Sequence, residues 1–162
     1  MEKTIIGLGA NLGDTALSFR QARAFLAGLS EKPARFSGIY TSEPVGIADR
    51  EFLNAAALIH TSLPPHELLT SLKEFEKTLG RDMTKARWSN RLIDLDIIVY
   101  GDLLYDRDGL KIPHPEYRNR LFVLYPLRDL LPGFTDPETR MPIGELIDAA
   151  PKISVSKSTV NW

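Results

Sequence analysis

PARFSGIYTSEPVGIADREFLNAAALIHT, residues 33–61, holds two extended segments with no helix between them. The first begins at Pro33 and runs to Tyr40. Glu43-Pro44-Val45-Gly46 then signals a turn, and a loop continues to Arg50. Phe52 to Thr61 reads as the second strand, with a continuous apolar run from Ala55 to Ile59. On the N-terminal side, Lys3 to Ala10 has the pattern of a buried strand. Asp14 is placed to cap a helix over residues 15–29, where Phe19, Ala22, Phe25, Leu26 and Leu29 recur at spacings of three and four. On the C-terminal side, Pro64-Pro65 opens a helix with Leu68, Leu72, Phe75 and Leu79 on one face and Gly80 as its stop. A polar loop, Arg81 to Asn90, leads to a strand from Leu92 to Tyr100. Beyond it the sequence predicts short elements, a helix near 117–130 interrupted by Pro126, and another near 142–149. The order strand, helix, strand, strand, helix, strand predicts an α+β protein. The expected fold is a ferredoxin-like sandwich, a mostly antiparallel sheet with helices on one face and a small C-terminal extension, all within one domain over 1–162.

Composition narrows the function. The chain has 162 residues, 43% hydrophobic and 25% charged, which suits one folded domain and excludes general disorder. Lys and Arg total 20 against 21 Asp and Glu, so the basic footprint of a duplex-binding protein is missing and no nucleic-acid partner is expected. There is no Cys, which excludes disulfides and thiolate metal sites. The longest apolar runs, Ile5 to Ala10 and Ala55 to Ile59, are too short to span a bilayer, and no signal-peptide pattern opens the chain. A cytoplasmic protein with no membrane partner is expected.

The strongest chemical signal is Arg91-Leu92-Ile93-Asp94-Leu95-Asp96-Ile97-Ile98-Val99. Residues two apart on a strand share a face, so Asp94 and Asp96 project side by side, about 7 Å apart at the backbone, from an apolar segment. Crowded, poorly hydrated carboxylates repel each other, and a cation resolves the conflict. Mg²⁺ suits them, since it takes one or two carboxylates and completes its shell with phosphates and water. The alternative is that both Asp face water or pair with Arg. Arg81, Lys85, Arg87 and Arg91 precede this strand, and His114, Arg118 and Arg120 follow it, a pattern suited to phosphate oxygens or to a plain solvated loop. Trp88 within the basic loop either stacks on a flat heterocycle or anchors the loop. Phe52 and Phe122, taken alone, read as core residues. Gly7-Leu8-Gly9-Ala10-Asn11-Leu12-Gly13 is one residue longer than a dinucleotide fingerprint, and no P-loop occurs. These glycines are expected to let a ligand approach the backbone.

GLGANLG at 7–13, YTSEPVG at 40–46, FLNAA at 52–56, FEKTLGR at 75–81, RWSNRLIDLDII at 87–98, IPHP at 112–115 and NRLFVLYPL at 119–127 together resemble the 6-hydroxymethyl-7,8-dihydropterin pyrophosphokinase family of folate biosynthesis. The resemblance covers nearly the whole chain. It implies the ferredoxin-like fold, ATP as co-substrate, two Mg²⁺, and pyrophosphate transfer from ATP to the pterin hydroxymethyl group with release of AMP. Asp94 and Asp96 match the metal-binding pair and, with Arg81 and Arg91, the catalytic set. Glu76, Arg81, Lys85, Arg87, Trp88, Arg91, Ile97, His114 and Arg120 match the ATP side. Ser42, Pro44, Val45, Phe52, Asn54, Trp88 and Phe122 match the pterin side. A monomer acting on these two small molecules is expected, with the Arg81–Asn90 loop as a lid. Ser89-Asn90 replaces the usual Gly-Pro, Met83 stands where an Arg is common, and Ser42 replaces a frequent Thr. An RNA-binding module, a Mg²⁺-dependent nuclease and an inactive sister of the family are the alternatives. AMP release that depends on the pterin separates them from the kinase.

Overall fold

The computed structural model describes residues 1–44, 48–80 and 92–162. Strand β1 (Glu2–Ala10) is followed by helix α1 (Thr15–Leu29), strands β2 (Arg35–Phe36), β3 (Tyr40–Ser42) and β4 (Phe52–Thr61), helix α2 (Pro65–Thr78) and strand β5 (Asp94–Tyr100). A hairpin of β6 (Tyr105–Arg107) and β7 (Leu110–Ile112), a short 3₁₀ turn (Tyr117–Asn119), helices α3 (Leu121–Leu130) and α4 (Ile143–Ala149), and strand β8 (Val155–Lys157) complete the chain.

The main sheet has the order β5-β1-β4-β3-β8, with every pairing antiparallel. The first four are the ferredoxin-like sheet, in which β1-α1-β3 and β4-α2-β5 interleave as split βαβ units. The extended segment from Pro33 is two short strands in line along β4. Between them Ser37 keeps the ladder closed: its N–H donates to Ala56 O at 3.0 Å, and its Oγ accepts from Ala56 N–H at 2.8 Å.

Asp14 caps α1 as expected, its Oδ1 accepting from Leu17 N–H at 3.0 Å. Phe19, Ala22 and Leu26 of α1, with Leu68 and Leu72 of α2, cover the sheet face that carries Ile6, Leu8, Leu95 and Ile97. Stacked Phe25 and Phe75 rings, 4.3 Å apart, join the two helices.

The expectation of helices on one face is corrected. Helices α3 and α4 bury Leu121, Leu124, Leu127, Leu130, Ile143 and Leu146 against Ile5, Leu58, Ile98 and Val99 on the opposite face. The cause is the composition of β4 and β5. A strand without an alternating polar face exposes apolar surface on both sides and needs cover on both. Pro126 does not interrupt α3, which runs on through it. One ladder bond is lost at a proline, and burial of the leucine face offsets that loss.

The C-terminal segment is part of the framework. β8 pairs with β3, and Trp162 packs its ring 5.3 Å from Phe19 and 5.0 Å from Phe36 while its Nε1–H donates to Ser37 O at 2.7 Å. Trp162→Ala should therefore cost about 2 kcal/mol, less than the full core value because the ring is only partly buried. Urea unfolding measures it. No helix among the described residues is long and apolar enough to cross a membrane.

Candidate active site

The site begins with the alternation along β5. Asp94, Asp96 and Ile98 point to one face, and Leu95 and Ile97 to the other, into the core beneath α1 and α2. On the first face β1 lies alongside, with Gly7 opposite Asp96 and Gly9 opposite Asp94. On its other edge Gly9 faces Asn54 of β4. The middle strand thus presents bare backbone between two carboxylates and an amide. A Cβ at Gly7 would stand 3.0 Å from Ile98 Cδ1, close enough that the Ile98 side chain would have to shift, and one at Gly9 would stand 3.8 Å from Asn54 Oδ1, in ordinary contact but over the floor. The first two glycines of the GLGANLG segment thus leave the floor of the cleft free of side chains.

The cleft over this floor encloses about 620 Å³, open solvent included. Ser42, Phe52 and Asn54 line one wall, Asp94 and Asp96 another, and Arg120 and Phe122 enter from the start of α3. Asn54 is nearly fully buried. Its Nδ2 donates to Ser42 Oγ at 2.8 Å and to Tyr40 O at 3.3 Å, so β3 fixes the amide's orientation.

The carboxylates carry a strong electrostatic load. The Asp96 side chain is 33% exposed, yet partial burial and the neighbouring Asp94 charge push its carboxyl up to about 6. Lys73 and Arg120 work against that shift. Lys73 of α2 places Nζ 3.5 Å from Asp96 Oδ1 and 3.7 Å from Asp94 Oδ1. Burial alone favours its neutral form, but Asp96, Asp94 and Glu76 outweigh burial and raise its pKa above the ordinary lysine value. Glu76 is fully buried. Its carboxyl is pushed up by burial, against the pull of Lys73, and Asp94 adds to the rise.

Of the residues expected on the nucleotide side, Arg120 lines the cleft. His114 is not among the lining residues; its backbone N–H donates to Ile98 O at 2.8 Å and ties it to β5. Two others are placed off the cleft. The Ile97 side chain is in the core on the opposite face, leaving only its backbone toward the β5 edge. Glu76 stands behind β5, where Oε1 accepts Leu95 N–H at 2.6 Å and Lys73 Nζ–H at 2.9 Å. Of the residues expected on the pterin side, Ser42, Phe52, Asn54 and Phe122 line the same cleft, and Pro44 is exposed. Arg118 is not a phosphate candidate. It makes a bidentate pair with Asp136, Nη2 to Oδ1 at 2.9 Å, and also pairs with Glu138 at 2.8 Å. Val45, Arg81, Lys85, Arg87, Trp88 and Arg91, and with them the expected lid, lie outside the described residues.

Lys73 is the residue sequence reasoning missed. Its signal was Glu76, a charge four residues after Leu72 within the buried stripe of α2, which demands a partner. Lys73 is the cation one turn back.

The model of the 7,8-dihydro-6-hydroxymethylpterin-pyrophosphokinase family matches residues 5–132. The chain belongs to this family. A 2-amino-4-hydroxy-6-hydroxymethyldihydropteridine pyrophosphokinase of Pseudomonas aeruginosa is 37% identical over 153 residues, 93% of each chain. The folate synthesis bifunctional protein of Arabidopsis thaliana is 42% identical over 131 residues, 80% of this chain and 27% of that longer protein. A solved Plasmodium falciparum HPPK-DHPS with pteroate superposes over 91% of this chain and 42% of its own with a TM-score of 0.72. At 13% identity it shows the shared fold alone. The chain thus spans nearly all of the bacterial relative but only about a quarter to two-fifths of these longer ones.

Proposed function

We propose that the chain transfers the pyrophosphoryl group of ATP to the hydroxymethyl group of 6-hydroxymethyl-7,8-dihydropterin, releasing AMP, in folate synthesis. The observation that carries the reading is one cleft with two chemistries. A carboxylate pair borders one edge of a glycine floor and a fixed amide with Phe52 borders the other, while Arg120 and Phe122 reach it from the start of α3. That division suits a polyphosphate beside a flat, amide-edged heterocycle. The cleft is built from strands of one sheet and the start of α3, all within one chain, which supports a single domain over 1–162 that works as a monomer.

The donor set fits Mg²⁺. Asp94 and Asp96 are hard oxygen ligands on one face, and the raised Asp96 carboxyl marks charge that lacks full compensation. Among the described residues no group of three or more His, Cys, Asp and Glu side chains forms a cage. Two carboxylates holding the expected two ions leave the remaining positions to phosphate oxygens and water, the usual arrangement for this ion. When bound, Mg²⁺ supplies charge neutralisation at the transferred group.

The chain's own residues do the rest by positioning. Asn54, held by Ser42, reads the amide edge of the pterin, and Phe52 and Phe122 pack on its faces. Gly7 and Gly9 let the pterin and its hydroxymethyl group approach the carboxylate wall. Arg120 stabilises negative charge on the phosphates. The hydroxymethyl oxygen bonds to the β-phosphorus as the bond from that phosphorus to the α,β-bridging oxygen breaks. AMP departs with the bridging oxygen, and the hydroxyl proton is released. Arg81, Arg87, Trp88 and Arg91 are expected to complete the nucleotide side. Neither the cleft nor the relatives support the RNA-binding or nuclease alternatives.

The deciding assay is AMP formation from ATP with and without the hydroxymethyl pterin. ATP turnover indifferent to the pterin would overturn the reading. A second expected result concerns pH. A proton and a cation compete for Asp96, whose carboxyl titrates near 6. Mn²⁺ affinity should rise with pH to about that value and then level off, a gain of about tenfold between pH 5 and pH 7.5. Calorimetry with Mn²⁺ alone avoids titration of the nucleotide, and Asp96→Asn should flatten the profile.

A further inference from the structure

Lys73 reaches the carboxylates from the other side of the sheet. Its helix packs on the face of Leu95 and Ile97, whereas Asp94 and Asp96 project from the opposite face. The path exists because β5 is the edge strand, so the side chain passes around the open edge.

What fixes it there is not the aspartates. Lys73 Nζ donates to Leu95 O at 2.8 Å and to Glu76 Oε1 at 2.9 Å. Glu76 Oε1 in turn accepts Leu95 N–H at 2.6 Å. Two of the three ammonium N–H groups are thus spent on backbone and on a fully buried carboxylate. The contacts to Asp94 and Asp96, at 3.7 and 3.5 Å, are longer and add charge attraction to a position already set. Such a cation stays in place when the aspartates change partners.

We propose that Lys73 is an anchored counter-ion that lowers the affinity of Asp94 and Asp96 for a divalent ion arriving alone. It thereby makes firm metal binding depend on the negative charge of the nucleotide phosphates. Lys73 is a positioning residue in this role. The inference rests on the reading of Asp94 and Asp96 as the metal-holding pair. A fixed positive charge within a few ångströms of a divalent ion weakens its binding roughly tenfold even where the dielectric approaches that of water.

The test is Mn²⁺ titration of the whole protein by calorimetry, without nucleotide and then with a non-hydrolysable ATP analogue. Wild type is compared with Lys73→Gln, Lys73→Met and Lys73→Arg. Gln keeps a donor for Leu95 O, Met keeps the apolar stem, and Arg keeps the charge, so failure of one variant to fold leaves the others to decide. Lys73→Gln and Lys73→Met should bind Mn²⁺ alone about tenfold more tightly than wild type, and Lys73→Arg should stay near wild type. A merely structural role moves the unfolding midpoint and leaves metal affinity unchanged or weaker. If wild type holds Mn²⁺ with the analogue while Gln and Met show no tightening, the inference is overturned and the metal reading stands. If no protein binds Mn²⁺ with or without the analogue, the metal reading falls and the inference with it.

Discussion

Asp96→Asn should lose at least about a thousandfold in turnover and yet unfold at higher denaturant than wild type at neutral pH. The loss follows from the proposed role. Removing a metal-holding carboxylate forfeits several kcal/mol of charge stabilisation at the transferred group, and about 4 kcal/mol is three powers of ten in rate. The gain follows from the local charge balance. Asp94, Asp96 and Glu76 crowd around Lys73, with Arg120 nearby, and the Asp96 carboxyl is pushed up to about 6 by burial and by Asp94. A carboxyl that holds its proton more tightly folded than unfolded favours the folded state while protonated. That advantage is present at low pH and disappears as pH rises from the ordinary carboxylate value to about 6. Above pH 6 wild type carries the whole penalty of the ionised group, and the amide carries none. The two unfolding curves should separate at pH 7–8 and converge below pH 4. A variant that keeps half of wild-type turnover would remove Asp96 from the metal-holding set. A variant less stable than wild type at pH 8 would show that the Lys73 and Arg120 attractions outweigh the burial cost.

Much of this site is local in sequence, and that part was legible. The period of a strand puts Asp94 and Asp96 on one face whatever surrounds them. The same rule places Ile97 with Leu95 on the other, and a side-chain role there for Ile97 conflicts with the alternation. The helical stripe and its Asp14 cap fix α1 within a residue. What could not be read depends on neighbours far along the chain. The glycines at 7 and 9 make sense only once β1 lies between β4 and β5, so that the missing side chains open a floor between Asn54 and the carboxylates. Arg118 counts among the phosphate candidates because it is one of the cations that follow the Asp94–Asp96 strand, while its partner Asp136 stands eighteen residues on with no local signal. Lys73 sits on the flank of an amphipathic helix, an ordinary place for a solvated lysine. Only an edge position for β5 lets it reach around. Cover on both faces was visible in principle, since Ala55 to Ile59 and Ile97 to Val99 have no polar alternation. Helix α3 lies beyond the split βαβ pattern, which by itself assigns it to no face of the sheet.

Glu76→Ala should destabilise the protein by about 3 kcal/mol, whereas Glu76→Gln should cost under about 1 kcal/mol. The buried carboxylate accepts from Leu95 N–H, a group on the outer edge of β5, and from Lys73. Alanine leaves that N–H without its acceptor, a loss of about 1–3 kcal/mol, and takes away the buried partner of an ammonium. Glutamine can offer a carbonyl oxygen at the same position, and removing the negative charge is inexpensive because burial and Asp94 already disfavour it. The pair also separates two roles for Glu76 in nucleotide binding. If Glu76 acts only by holding the β5 edge and Lys73, Glu76→Gln should bind Mg²⁺–ATP within about threefold of wild type, in line with its small change in stability. If its carboxylate contacts the nucleotide, affinity should fall by tenfold or more with stability nearly unchanged, because hydrogen bonds to charged groups are worth about 1.5–3 kcal/mol. Urea unfolding and calorimetry on the same two variants read both quantities. An alanine variant within 0.5 kcal/mol (about the spread of an ordinary surface substitution) would show that β5 keeps its edge without this clamp.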